Sequence, residues 1–271
     1  EGSISLRRLI LSDESAVIKD LMDTDSLAIN THDDQEDVAA LFRKYDYYVM
    51  PVVDKENRLV GIITVDDVLD VIDQEATEDI QRMAAMRPSE TEYLKTGNWT
   101  LARHRLPWLL VLMISATFTG GIISRYEHAL QAAIVLTAFI PMLMDTGGNS
   151  GSQSSSLIIR GLALGQITSR DIFKVIGKEF VVGSYSGVIL AAVNFLRIYF
   201  LEKVELHVAI TVSITLLVTV ILAKVVGGIL PLLAKKLKMD PAVMAGPLIT
   251  TIVDAVVLIV YFNLASLLLG I

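Results

Sequence analysis

The chain has 271 residues, 53% of them hydrophobic, and a mean hydropathy of +0.56, which is too apolar for an ordinary soluble domain. Its net charge of −7 is unevenly spread: residues 1–100 hold 22 acidic and 10 basic side chains, and the rest of the chain carries a net +5. So acidic a polar half argues against nucleic acid and anionic lipid as its partners, and the lack of cysteine excludes disulfides.

The opening stretch has no apolar core or small-residue cleavage site of signal-peptide type. Residues 1–22, with GSISLRRLILSDESAVIKDLM, are expected to be the last strand and helix of a preceding motif, cut at its start. Residues 23–73 read as a compact α/β unit in the order β-α-β-β-α. LAIN is a short strand, and DDQEDVAALFRKYD is a helix with Val38, Leu41, Phe42 and Tyr45 on one face. YYVMPVVD and RLVGIIT form a hairpin across the KEN turn. VDDVLDVIDQE is the closing helix, with Thr64 as its N-cap and Asp67 in the carboxylate role of a capping box. Residues 74–100 form a connecting helix and linker. Asp73, Glu75, Glu78 and Asp79 crowd this stretch, and Glu78 and Asp79 fall at i+3 and i+4 from Glu75. Like charges at that spacing cost stability unless cations or bases occupy the site.

Residues 101–271 hold five apolar segments, at about 106–123, 129–144, 172–200, 208–234 and 241–269. Lys and Arg cluster before the first, between the second and third, and between the fourth and fifth. That asymmetry places the N-terminal half in the cytoplasm and the C-terminus outside. Two polar breaks stand out. Asp254 lies inside the last segment, where a carboxylate costs ~2.5–3.5 kcal/mol unless it faces a cavity, an ion path or a polar partner. Thr250 and Thr251 precede it by four and three residues, and Gly246 with Pro247 can loosen the helix and expose carbonyl oxygens. Carboxylate, hydroxyl and carbonyl are the hard oxygen ligands that Mg2+ or Ca2+ prefer. The second break is the run from Pro141 to Gly165, where Gly147 and Gly148 allow close backbone approach and Asn149 and Gln153 offer neutral oxygens to a pore or a packing interface. Asp145 and Lys224 are a candidate intramembrane pair, and Glu179 is a third charge in the apolar half to account for.

VMPVVD…RLVGIITVDDVLD is similar to a CBS motif, and three blocks carry a wider resemblance: EATEDIQRM after that motif, GGNSGSQSSSLIIRGLA, and DPAVMAGPLITTIVDAVVLIVYF at the end. Together they resemble the MgtE family of Mg2+ channels across the whole chain. The resemblance implies an α-helical integral membrane protein: a homodimer in the lipid bilayer of the cell membrane, with five transmembrane helices per subunit, a cytosolic CBS motif and a plug helix. It implies Mg2+ as the permeant ion. Asp254 would be the pore ligand, with Thr250, Thr251 and Gly246 around it. Glu75, Glu78 and Asp79 on the plug, Asp240 before the last helix, and Asp34, Glu36, Asp46, Asp67 and Asp70 in the CBS motif would bind the regulatory Mg2+. ATP binding at Thr64 and Asp67 is implied in the same way. The family commonly has Asn at the position of Gly246, which leaves Mn2+, Co2+ and Ca2+ open as substitutes.

Two rival readings remain: a divalent transporter coupled to Na+ or H+, and a nucleotide-sensing scaffold without transport. An enzyme is not expected, because the chain has no P-loop, no nucleophile elbow and no histidine pair at ligand spacing.

Overall fold

The computed structural model describes residues 2–24, 27–89, 91–127, 131 and 134–270. The chain divides into two compact units, Glu1–Ala76 and Thr77–Ile271.

The first unit opens with two short helices, α1 (Leu6–Leu11) and α2 (Ile18–Leu21). The expected strand is reduced to one antiparallel bridge between Ser3 and Asp23. The stretch LRRLIL turns helical because both of its ends are fixed by hydroxyls. Ser5 accepts the Arg8 N–H at 3.2 Å, and Ser12 donates to the Arg8 carbonyl at 2.6 Å. A three-stranded sheet follows, with β1 (Ile29–Asn30) parallel to β2 (Val49–Val53) and β2 antiparallel to β3 (Leu59–Thr64). Asp54 builds the β2–β3 turn by accepting the N–H groups of Glu56 and Arg58, each at 2.9 Å, which lets Asn57 take a left-handed φ of 62°. Helix α3 (Gln35–Tyr45) starts where Asp34 accepts the Glu36 N–H. Its Val38, Ala39 and Phe42 close on Ile29, Met50 and Val68 to form the small core of this unit.

The expected closing helix and connecting helix form one continuous helix, α4 (Val65–Met83). No glycine or proline interrupts 65–83, so nothing in the chain stops the helix between the two apolar patterns.

The second unit contains α5 (Asn98–Arg125), α6 (Ile140–Ala163), α7 (Ile172–Leu196), α8 (Leu206–Lys236) and α9 (Gly246–Leu269). Among the described residues, four stretches are long and apolar enough to cross a membrane: Asn98–Arg125, Ser169–Leu201, Leu206–Lys236 and Gly246–Leu269. The second expected segment, 129–144, is displaced. Residues 134–139 form a 3-10 turn, Pro141 starts the α-helix, and positions 129–130 and 132–133 lie outside the described residues. The helix at that place is α6, whose 24 residues suffice in length (about 36 Å) but not in apolarity, because it carries the whole Gly/Ser/Asn run.

Helix α8 is the central post of this unit. Its Val212, Val220 and Ala223 join Leu143 of α6 and Ile249, Val253, Val257, Tyr261 and Phe262 of α9 in one apolar core. Tyr261 is fully buried, and its hydroxyl donates to the Leu136 carbonyl at 2.9 Å, so a polar tip inside the core is satisfied. Helix α5 buries no side chain of its own and leans on this core through Ile122 and Ile123, with Tyr126 stacked on Phe262 at 4.7 Å.

Candidate ion site in the helical unit

Helix α6 has two unlike faces. Gly147, Gly148 and Ser150 are buried, whereas Asp145, Asn149 and Gln153, spaced at i, i+4 and i+8, form a polar stripe on the open side. The glycines admit α9. A methyl group on Gly147 would stand 2.8 Å from Val257 Cγ2 and 3.1 Å from Val253 Cγ1, and one on Gly148 would stand 3.0 Å from Thr250 Cγ2. That close packing sets Asp145, two residues before Gly147, and Asp254, next to Val253, on adjoining stretches of α6 and α9.

Asp254 is half-buried, and so are Thr250 and Thr251 on the same helix. Both threonine hydroxyls donate to the Pro247 carbonyl at 2.9 Å. Each hydroxyl oxygen therefore keeps its lone pairs for an acceptor role. Helix α9 begins at Gly246, whose φ is +47° and whose missing side chain leaves room for the Met83 carbonyl, which a Cβ would strike. Gly246 is thus taken up with the end of α4, and its role as a ligand toward Asp254 stays an expectation.

A cavity of about 410 Å3 opens beside the stripe, with Asp145, Asn149, Ser150 and Gln153 of α6, Ser186 of α7 and Lys224 of α8 on its polar side and Ile189 and Leu190 of α7 on its apolar side. Of the pore-lining residues predicted from sequence, Asn149 and Gln153 lie in it, while Gly147 and Gly148 pack against α9. The expected Asp145–Lys224 pair does not form. Lys224, 7% exposed, donates to Gln153 Oε1 at 3.2 Å instead. Two turns of α6, about 12 Å along the axis, separate Gln153 from Asp145. Glu179, 9% exposed, accepts the Ser154 hydroxyl at 2.5 Å. Asp145 is the polar-stripe residue whose place the sequence left open. The signal was present, since a carboxylate four residues before Asn149 continues the same helix face.

A second cluster lies at the end of α4. Arg82 donates to Glu78 and, across the sequence, to Asp240. Burial opposes the charge, but the carboxylates of Asp240 and Glu78 hold the guanidinium above its ordinary pKa. The other oxygen of Asp240 accepts the Ala242 N–H at 2.8 Å and caps the turn ahead of α9. Met83 packs on Ile159, Ala242 and Ala245. Two of the four predicted gate residues, Glu78 and Asp240, therefore meet on one cationic group. Glu75 belongs to the first unit, where it accepts Gln35 Nε2 at 2.6 Å; Asp79 is half-buried.

In the first unit Asp34, Glu36, Asp46, Asp67 and Asp70 are all exposed. Asp34 caps α3 and Asp46 ends it with a left-handed φ of 53°. Thr64 donates to Asp67 Oδ2 at 2.7 Å, and Asp67 also edges a cavity of about 500 Å3 lined by Ile29, Asn30, Thr31, Val52 and Val71. Among the described residues, no three His, Asp or Glu side chains converge as a metal-ligand set.

Residues 140–264 match the family described as MgtE, divalent cation transporter, and residues 18–74 match the CBS domain. The chain is 39% identical over 269 residues to the magnesium transporter MgtE of Thermus thermophilus, an alignment that covers 99% of this chain and 59% of that protein. It is 37% identical to the magnesium transporter MgtE of Bacillus subtilis, over 98% of this chain and 58% of that one. A solved structure, the cytosolic domain of the Mg2+ channel MgtE in complex with ATP, aligns at 51% identity with a TM-score of 0.25, covering 26% of this chain and 28% of that chain. The chain spans less than two thirds of the length of the curated relatives it matches. With a CBS domain ahead of a divalent-cation-transporter domain, and relatives at 37–39% identity along nearly all of its length, the chain belongs to the MgtE family.

Proposed function

We propose that this chain is the pore-forming subunit of a homodimeric Mg2+ channel of the cell membrane, gated by Mg2+ on its cytosolic side. The observation that carries the reading is the close packing of α6 on α9, which places two carboxylates, Asp145 and Asp254, on adjoining stretches of helix beside an open polar face of α6. Such a face is too polar to meet lipid, so it belongs against a water-filled path or a second copy of the chain. A two-fold dimer brings two copies of Asp254 to one axis. Mg2+ gives up its water reluctantly, so the carboxylates and the threonine oxygens hold it through its hydration shell. In this reading α6 is the fifth span, the N-terminal unit is cytosolic and the C-terminus lies outside. Mn2+, Co2+ or Ca2+ substitute to the extent that their hydrated size fits.

The gate is electrostatic. Arg82 holds Glu78 and Asp240 together, and a divalent ion that bridges them has to displace the guanidinium. Asp79 adds a further carboxylate on the same helix, and Glu75 with Asp34, Glu36, Asp46, Asp67 and Asp70 are the candidate Mg2+ ligands of the cytosolic unit. Bound Mg2+ closes the pore only by its greater affinity for the closed state. The cavity at Asp67 is the candidate ATP site, with Thr64 holding the carboxylate in place.

Mg2+ entry into proteoliposomes under an imposed potential tests the proposal. Uptake that follows the potential and ignores Na+ and pH gradients is the expected result. Uptake that needs either gradient favours the coupled transporter, with Asp145, Glu179 and Lys224 as its candidate coupling sites, and no uptake favours the scaffold.

A further inference from the structure

The cavity beside α6 pairs groups of opposite charge that do not neutralise each other directly. Asp145 stands at one end, on the stretch of α6 whose Gly147 packs against Val253, the residue before Asp254. Lys224 stands at the other, almost wholly buried, with the amide oxygen of Gln153 as its hydrogen-bond acceptor. An ammonium buried at membrane depth is costly without a counter-charge. A second carboxylate on the same side as Asp254 adds like-charge repulsion that a cation relieves. Asn149, Ser150 and Ser186 line the space between with neutral oxygens.

We propose that Asp145 is a specificity-determining residue for the cation held at Asp254, and that Lys224 limits how tightly that cation is held. The inference rests on the channel reading above. Each chain then offers two carboxylates to the ion and one fixed ammonium that weakens the same well. A divalent ion gains twice what a monovalent ion gains from each carboxylate, so Asp145 favours divalents. Conduction also requires that the ion leave, and the Lys224 charge keeps the well shallow enough for release.

The test compares Asp145→Asn, Asp145→Glu and Lys224→Gln in the full chain. The readouts are Mg2+ entry into proteoliposomes against Mg2+ concentration, and Mn2+ binding to the purified protein by electron paramagnetic resonance. The Asn variant is expected to need about tenfold more Mg2+ for half-maximal entry, the loss of one nearby unit charge. It also loses preference for Mg2+ over K+, and the Glu variant restores both. Lys224→Gln is expected to move the other way, with half-maximal entry at several-fold lower Mg2+ and a lower maximal rate. Mn2+ affinity follows the same opposite signs. Shifts in the same direction, or no shift in either variant, overturn the proposal. If the parent conducts no Mg2+ while Mn2+ binding still shifts in opposite directions, the channel reading fails and the two-charge site stands.

Discussion

Asp254 is legible because a carboxylate in an apolar run has few uses: hydrocarbon would penalise it by ~2.5–3.5 kcal/mol. Its neighbour Asp145 is not legible as a partner. Their wide separation in sequence says nothing about distance; what closes it is the fit of Val253, Val257 and Thr250 into the surface left open by Gly147 and Gly148. The same packing gives a stability prediction. Gly147→Ala places a methyl 2.8 Å from Val257 Cγ2 and 3.0 Å from Thr219 Cγ2, side-chain tips that can move a little. Overpacking of that kind costs about 1–3 kcal/mol. Thermal unfolding in detergent should show the loss, and an unchanged melting temperature would mean that α6 and α9 do not meet there. Lys224 shows the limit of charge matching by eye: the nearest opposite charge in sequence logic is Asp145, but reach from α8 delivers the ammonium to Gln153.

At the scale of elements, α4 carries the regulatory argument. Both of its halves are readable as helix, but their continuity is not, because the apolar pattern shifts from a core-facing stripe to an acidic surface near Glu75. The N-terminal strand fails for a different reason: LRRLIL has apolar residues that suit a strand, and the two serine caps override that preference. Arg82 makes the gate testable by sign. If the guanidinium competes with Mg2+ for Glu78 and Asp240, Arg82→Gln lets Mg2+ protect the 84–97 linker from protease at several-fold lower concentration. If Arg82 only anchors the helix, the variant is cut faster than the parent at every Mg2+ concentration. The ion pairs are about one-third exposed, so the stability they supply directly is small, ~1 kcal/mol at most. Their importance lies in which cation occupies the site.

At the scale of the whole molecule, the proposed dimer can be tested at the open polar stripe of α6. The chain has no cysteine, so single introduced thiols report cleanly. Asn149→Cys should form a disulfide-linked dimer on oxidation in the membrane, and Phe173→Cys, on an exposed face of α7, should not. Equal cross-linking at both positions would contradict a dimer built on α6. The driving force is also a whole-molecule property. A doubly charged ion gains about 4.6 kcal/mol per 100 mV of inside-negative potential, twice the single-charge value, so a passive path suffices for uptake. The central claim is that Mg2+ crosses beside Asp254. The most direct measurement is Mg2+ entry into proteoliposomes under a fixed potential for the parent chain and for Asp254→Ala reconstituted to the same density. The account predicts entry in the parent and loss of nearly all of it in the variant. Equal entry in both would make Asp254 a packing residue and place the path elsewhere.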